Sequence, residues 1–459
     1  MVESADIVIC GAGIAGIAAA YYLAELGLTD IVLVDRRAPL TLTSDKSGEN
    51  YRNWWPHSAM AHLMNHSIDL IEDLARSSHN AFSLSRRGYA YVSAHPDAIA
   101  LAHQNHERFE RLDLGPFRFY DRRDDMPAEF YRPAAFDGFE DQPGGADYLL
   151  DRPLIRQHYP FLADDVQTIV HARRAGWFSA QQLGMFLLEE AKKRGLRERR
   201  ADVVAIEQDD KGISAVEIAG AEGITRIQTR MFINAAGPYL PHIGAMLGLS
   251  LPVDNVLHQK IAMRDPLGVV PRDAPFLIFT DPQQIAWTEE ERGLWEQEAD
   301  DHWLLDMFPG GLHVRPEGGR DSEWIKLGWA FNHQASEPVD EPAFDPEFPE
   351  IILRGASRFI PGLQQYSGNI PGPLQHYGGY YTKTKENLPL IGPSGVEGAY
   401  LIGALSGFGV MAACGAGEIL SQWVAGGEVP AYAHQFSLAR YDDPVFVASL
   451  ETMTAAGEL

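Results

Sequence analysis

The sequence predicts an α/β fold built on a nucleotide-binding unit, and three observations predict it. An apolar run, Ile7 to Cys10, is followed by a turn with glycines at 11, 13 and 16 and then by a helix from about Ala15 to Leu26. A second apolar run, "DIVLVDRR", carries Asp35 at its end. The chain is 459 residues long, 45% hydrophobic and 22% charged, which suits a globular protein of two domains.

Each glycine of the first turn has a physical task. Gly11 permits the tight turn, Gly13 lets a pyrophosphate approach the backbone, and Gly16 lets the helix pack on its strand. The helix N-terminus at Ile14 and Ala15 offers free N–H groups and a positive dipole end to phosphates. Asp35 lies 19 residues past Gly16, where an acceptor for a ribose hydroxyl belongs, and Arg36 follows it. NAD and FAD both use such a unit, so the motif alone leaves the nucleotide open.

The remaining elements follow in order. "TLTSDKSGENYRNWWP" is rich in hydroxyls and capping residues. Residues 178–194 read as an amphipathic helix behind a Ser179 cap. "ADVVAIEQ" and "ISAVEI" read as strands, and "RMFINAAGPYLPHIGAML" as a strand that breaks at Ala236-Gly237-Pro238. "NLPLIGP" precedes "GAYLIGALSGFGVMAACGAGEILSQWVAG", a strand, the turn Ser406 to Gly409, and a long helix closed by Gly426-Gly427. "EWIKLGWAF" alternates Ile325, Leu327 and Trp329 with other residues, as a strand with one buried face does. Lys326 therefore points to the opposite face, which is either open water or a cavity that wants a cation.

Charge and cysteine count narrow the function. A formal charge of −25 argues against nucleic acid or an anionic membrane surface as partner. Cys10 and Cys414 are the only cysteines, which gives no disulfide framework and suggests a reducing cytoplasm. The acidic "MVESAD" does not read as a signal peptide, and no uncharged stretch is long enough to span a bilayer. The 16 histidines are scattered without ligand spacing, so no metal site is expected.

Together, the glycine loop, Asp35, "INAAGP", "LPLIGP" and "GALSGFG" resemble the D-amino-acid oxidase superfamily of FAD enzymes, which includes glycine oxidase and monomeric sarcosine oxidase. The resemblance covers about two thirds of the chain. It implies a glutathione-reductase-type flavoprotein with an antiparallel-sheet substrate domain. It also implies that Asp35 holds the adenosine ribose, Val203 pairs its backbone with adenine, and Ala236-Gly237 line the dinucleotide. Ser44, Lys46 and Ser47 would lie near the ribityl chain and flavin. The helix that begins around Gly407, Phe408, Gly409, Val410 and Met411 would face the flavin, where its N-terminus stabilises negative charge.

"KLGW", Lys326 to Trp329, resembles the strand of the sarcosine oxidase branch that holds a lysine over the flavin, where a fixed cation assists electron transfer to O2. Tyr381, Thr382 and Thr384 resemble that branch too. Four departures stand out. Gly379 replaces the cysteine that attaches flavin there, and Glu49 stands where related dehydrogenases use a histidine, so non-covalent FAD is expected. Met411 replaces the carboxylate-binding lysine, and Tyr381 stands where the amino-acid oxidases carry an arginine. Arg52 is the remaining anchor candidate; it could equally cap the flavin or lie on the surface. Trp54, Trp55, Trp329, Tyr377, Tyr380 and Tyr381 would form an aromatic box for a bulky or cationic amine.

The same resemblance divides the chain into a discontinuous FAD domain, 1–85, 152–250 and 372–459, and a substrate domain, 86–151 and 251–371. Insertions near 110–151 and 282–303, the second read as an acidic amphipathic helix with Trp287 and Trp295, serve as a lid or as a contact in a homo-oligomer. It implies an FAD-dependent oxidase that converts an amine or amino acid to an imine and O2 to hydrogen peroxide. Two alternatives remain at this point. One is a dehydrogenase or demethylase that passes electrons to a quinone or carrier protein. The other is a regulatory or tRNA-modifying flavoprotein without amine turnover.

Overall fold

The computed structural model describes residues 2–121, 131–297 and 302–452. Two nine-stranded sheets dominate it. The first is centred on the strand Ile7–Cys10, which pairs in parallel with Ile31–Asp35 on one side and Met231–Asn234 on the other. Ala399–Gly403 extends the parallel core beyond Met231–Asn234. These strands are buried on both faces, so their sequences read as continuous apolar runs instead of alternating ones.

Helices Ile14–Glu25 and Gly409–Ala425 pack on that sheet and on each other. Small residues permit the contact: a Cβ at Gly417 would stand 2.8 Å from the Ala18 carbonyl carbon. Gly426 ends the long helix in the left-handed conformation, φ 67°, that a Cβ disfavours. Helix Ala180–Lys193 begins where expected, with the Ser179 hydroxyl accepting from the Gln182 N–H.

The second sheet runs, in spatial order, Gln375–Lys383, Asp254–Arg264, Trp324–Gly328, Leu312–Glu317, Phe276–Phe279, Tyr89–Ser93, Thr168–Ala172, Ala146–Leu149 and Phe117–Tyr120. It is mixed, since Phe276–Phe279 pairs in parallel with Tyr89–Ser93 and Phe117–Tyr120 with Ala146–Leu149. Two strands lie across the expected domain boundaries. Thr168–Ala172 and Gln375–Lys383, both placed by sequence in the first domain, pair with Tyr89–Ser93 and Asp254–Arg264 of the second sheet. Pairing partners so distant in sequence leave no local mark. The alternation at 324–329 is real: Ile325, Leu327 and Trp329 enter a core with Phe308, Phe348 and Ile352.

The expected helix in the 282–303 insertion is shorter than its pattern suggested. Among its described residues Glu289–Trp295 is α-helical, held by a reciprocal cap between Thr288 and Glu291, and a 3-10 turn begins at His302. Parts of both predicted insertions, 122–130 and 298–301, lie outside the described residues. Among the described residues no helix is long and apolar enough to cross a membrane.

Candidate active site

A cavity of about 740 Å³ lies between the two sheets, within the usual range for a ligand site. Its floor is the glycine turn. Gly11 has φ +113°, and a Cβ there would stand 2.2 Å from the Ala235 carbonyl oxygen, so only glycine fits. Gly16 does not line the cavity; its Cβ would lie 1.9 Å from the Gly11 oxygen, so its task is helix–strand packing. Gly13 differs. Its φ is an ordinary −75°, and a Cβ would meet nothing closer than Ser44 Oγ at 3.5 Å. The space beside it belongs to the cavity.

Asp35 fixes this turn as well as lining the cavity. Its carboxylate accepts from the Ala12 N–H at 2.8 Å and the Arg37 N–H at 2.8 Å. Ser44 Oγ accepts from the Ile14 N–H at 3.0 Å. Gly11, Gly13, Ile14, Ala15, Asp35, Arg36, Ser44, Lys46, Ser47, Val203, Ala236 and Gly237 all line the cavity, as do Gly407, Gly409 and Val410. Phe408 and Met411 do not. Phe408 packs edge-on against Trp55, and the Met411 carbonyl accepts from Ser67 Oγ. The residues present fit a dinucleotide: two helix N-termini reach the cavity, open space flanks Gly13 and Gly237, and a carboxylate stands at the second strand's end.

Asp340, on a segment whose residues Ala335 to Pro338 line the cavity, binds Arg36 at 2.7 Å, Arg37 and the Tyr239 hydroxyl. No local sequence signal pointed to it.

The opposite wall is one face of the second sheet. Ladder partners share a face, so the pairs Lys260–Tyr377, Lys260–Gly328, Ala262–Lys326, Arg315–Lys326 and His258–Gly379 bring those side chains to one side. Tyr380, Tyr381, Gly379 and Lys260 line the cavity. A Cβ at Gly407 would stand 2.4 Å from the Tyr381 ring, so the turn before the long helix depends on glycine there.

Lys326 has a different place from the one its motif suggested. It is not among the residues lining the cavity, and its ammonium sits 2.9 Å from Glu49 and 2.9 Å from Glu317. Although burial pushes Glu317 up, Arg315 and Lys326 hold its carboxyl below the usual range. The Lys326 charge is therefore already balanced. Trp329 points to the other face, where its Nε1–H donates to the Pro309 carbonyl and its ring meets Phe308 and Phe331. The pleat requires this, since odd and even positions of a strand face opposite ways.

Arg52 is 3% exposed and lies outside the cavity lining. It donates to the Tyr91 hydroxyl at 2.8 Å and stacks over Trp55 and Tyr89, leaving Nε without a partner. This excludes the surface alternative. Trp54 stacks on Phe109 at 4.2 Å, as a core residue does.

Lys260 was missed by sequence reasoning. It is 6% exposed, its Nζ donates to the Lys46 carbonyl at 3.3 Å, and it lies 5.5 Å from the Tyr381 ring centre. Burial, and then the nearby Lys326, push its ammonium down to about 8. Burial together with Lys260 pushes His258 and His313 down to about 3, so both are neutral near pH 7. Among the described residues no group of three or more metal-ligating side chains assembles.

The model of the FAD dependent oxidoreductase family matches residues 6–423. The chain is 22% identical over 435 residues to the mitochondrial dimethylglycine dehydrogenase of Rattus norvegicus, covering 93% of this chain and 44% of that protein. It thus spans less than half the length of the curated relatives it matches. Among solved structures, the L-proline dehydrogenase from P. horikoshii superposes with a TM-score of 0.72 at 17% identity, over 96% of this chain and 99% of that one. The glycine oxidase from Geobacillus kaustophilus does so with a TM-score of 0.69 at 15% identity, over 95% and 98%. At such identities the superpositions establish a shared fold.

Proposed function

Because this chain belongs to the family of FAD-dependent oxidoreductases, we propose that it oxidises the C–N bond of a small amine or amino acid to an imine and passes the electrons to O2. The observation that carries this reading is the composite cavity, with the glycine turn and Asp35 on one wall and Lys260, Gly379 and Tyr381 on the other. The names of the relatives, a dimethylglycine dehydrogenase, a proline dehydrogenase and a glycine oxidase, support an amine or amino acid as substrate. Bound FAD supplies a two-electron acceptor for the substrate and a route from there to dioxygen.

The chain's own residues bind, orient and exclude water. The glycine turn and the helix N-terminus at Ile14 receive the pyrophosphate, and Asp35 receives the ribose. The helix beginning at Gly409 directs its positive end into the cavity, which favours negative charge there. Neutral His258 and His313 keep further cations out of the wall around Lys260. FAD is held without a covalent link, since Gly379 and Glu49 offer no cysteine or histidine at the two attachment positions.

One observation favours a second reading, that of a dehydrogenase with a quinone or carrier protein as acceptor. Lys326, whose motif suggested an oxygen site, is neutralised by Glu49 and Glu317. Holoenzyme turned over under air on an amine that it oxidises decides between them. Stoichiometric hydrogen peroxide supports the oxidase; turnover that requires an added quinone and releases no peroxide rejects it. The buried thiols Cys10 and Cys414 fit a reducing compartment such as the cytoplasm.

A further inference from the structure

The cavity lining carries four arginine and lysine side chains, and three of them are matched by carboxylates. Arg36 and Arg37 meet Asp340, and Lys46 meets Asp45 at 2.6 Å. Lys260 is the exception. Among the described residues no carboxylate pairs with it; its Nζ has the Lys46 carbonyl and the face of Tyr381. The charged neighbour that acts on it from the adjacent strand, Lys326, is a like charge. A cation desolvated without a counterion opposes folding unless something that occupies the cavity uses it.

From this we propose that Lys260 is the residue that stabilises negative charge arriving in the cavity with the substrate's electrons. The inference rests on the amine-oxidising reading above and adds a residue to it. In that reaction a neutral amine loses hydride from the carbon next to nitrogen and becomes an iminium cation. Hydride carries two electrons and one proton, and its acceptor is the bound FAD, so one unit of negative charge moves from the amine to that acceptor within the cavity. The C–H bond breaks, the C=N bond forms, and the iminium later loses its proton to water. A fixed ammonium in a wall shielded from water lowers the free energy of that charge transfer. Lys326 cannot contribute equally, because two glutamates already screen it. Burial pushes the Lys260 ammonium down only to about 8, so the charged form that this role requires still predominates at pH 7.

Sulfite tests the assignment without turnover, because it adds to oxidised flavin and leaves negative charge on the ring. Holoenzymes of wild type, Lys260→Met, Lys260→Gln and Lys260→Arg are titrated with sulfite, and their flavin midpoint potentials are measured. The charge-removing variants are expected to weaken sulfite binding at least tenfold and to lower the potential by about 30 mV or more, the two-electron equivalent of that factor. Lys260→Arg is expected to stay within a few-fold of wild type. Having both Met and Gln variants guards against one that fails to retain FAD. Unchanged sulfite affinity and potential in either FAD-loaded variant would overturn the proposal. If those stay unchanged while binding of acetate or propionate weakens, Lys260 anchors a substrate carboxylate, and the proposal is equally overturned. Failure of every amine to reduce the wild-type flavin would sink the amine reading alone, since the sulfite comparison stands apart from it.

Discussion

Replacing Lys260 by methionine should stabilise the apoprotein, and the size of the effect follows from its burial. The ammonium's pKa falls from 10.5 in the unfolded chain to about 8 in the folded one, a difference of about 2.5 units. At 1.36 kcal/mol per unit this corresponds to roughly 3 kcal/mol of lost stability at pH 7. The sign is that of a base whose folded pKa is depressed. The cost is fully present below pH 8, shrinks as pH rises from 8 to 10.5, and vanishes above. By the same linkage relation it should be below about 1 kcal/mol at pH 10. Urea unfolding of FAD-free wild type and Lys260→Met, at pH 7 and pH 10, measures it. The variant should unfold at clearly higher urea at pH 7, with the gap closing at pH 10. A variant less stable than wild type at pH 7 would refute the claim that Lys260 is a desolvated, uncompensated cation. Such a gain on removing a functional group is the usual mark of a site that trades stability for chemistry.

Three further outcomes are expected. Gly13→Val should fold, because φ is ordinary and the protein leaves room, yet bind little FAD; Gly11→Ala, strained against Ala235, should fail at folding itself, and circular dichroism with flavin fluorescence separates the two. Asp35→Ala should weaken FAD binding by at least the roughly 1.5–3 kcal/mol of one charge-assisted hydrogen bond, since the Ala12 and Arg37 N–H groups lose their acceptor as well. Lys326→Met should lower stability by about 1–3 kcal/mol, between the values for surface and buried pairs, because Glu49 and Glu317 are then left to share a single cation, Arg315. In that variant stopped-flow reoxidation by O2 should change less than in Lys260→Met; the reverse order would restore the oxygen role to Lys326.

What the sequence revealed was local. The glycine spacing, the acid at the end of the second strand and the closing glycines of the long helix each act within a few residues, so their patterns survive in one dimension. The alternation around Lys326 correctly placed Ile325, Leu327 and Trp329 in a core. That parity also excluded Trp329 from the wall bearing Lys326, although both were drawn toward the substrate by their shared motif. Lys260 carried the same signal: in "HQKIAMR" it alternates with Ile261 and Met263, which are buried. Nothing local shows which of the two lysines meets a counterion. Their difference comes from Glu49 and Glu317, which reach one ammonium and not the other across hundreds of residues of chain and between neighbouring strands. Asp340 was hidden for the same reason, as was the membership of Thr168–Ala172 and Gln375–Lys383 in the second sheet.

The central claim is that FAD bound in this cavity takes electrons from an amine. Purified holoenzyme should release its FAD into the supernatant on acid precipitation, which establishes the amount of active cofactor. The same preparation is then mixed without oxygen with secondary and cyclic amines, N-methyl amino acids and D-amino acids. The account predicts that at least one of them abolishes the flavin's visible absorbance, with one carbonyl product from imine hydrolysis for each FAD reduced. Fully loaded enzyme whose absorbance no amine in the panel alters, while dithionite still bleaches it, would contradict the account.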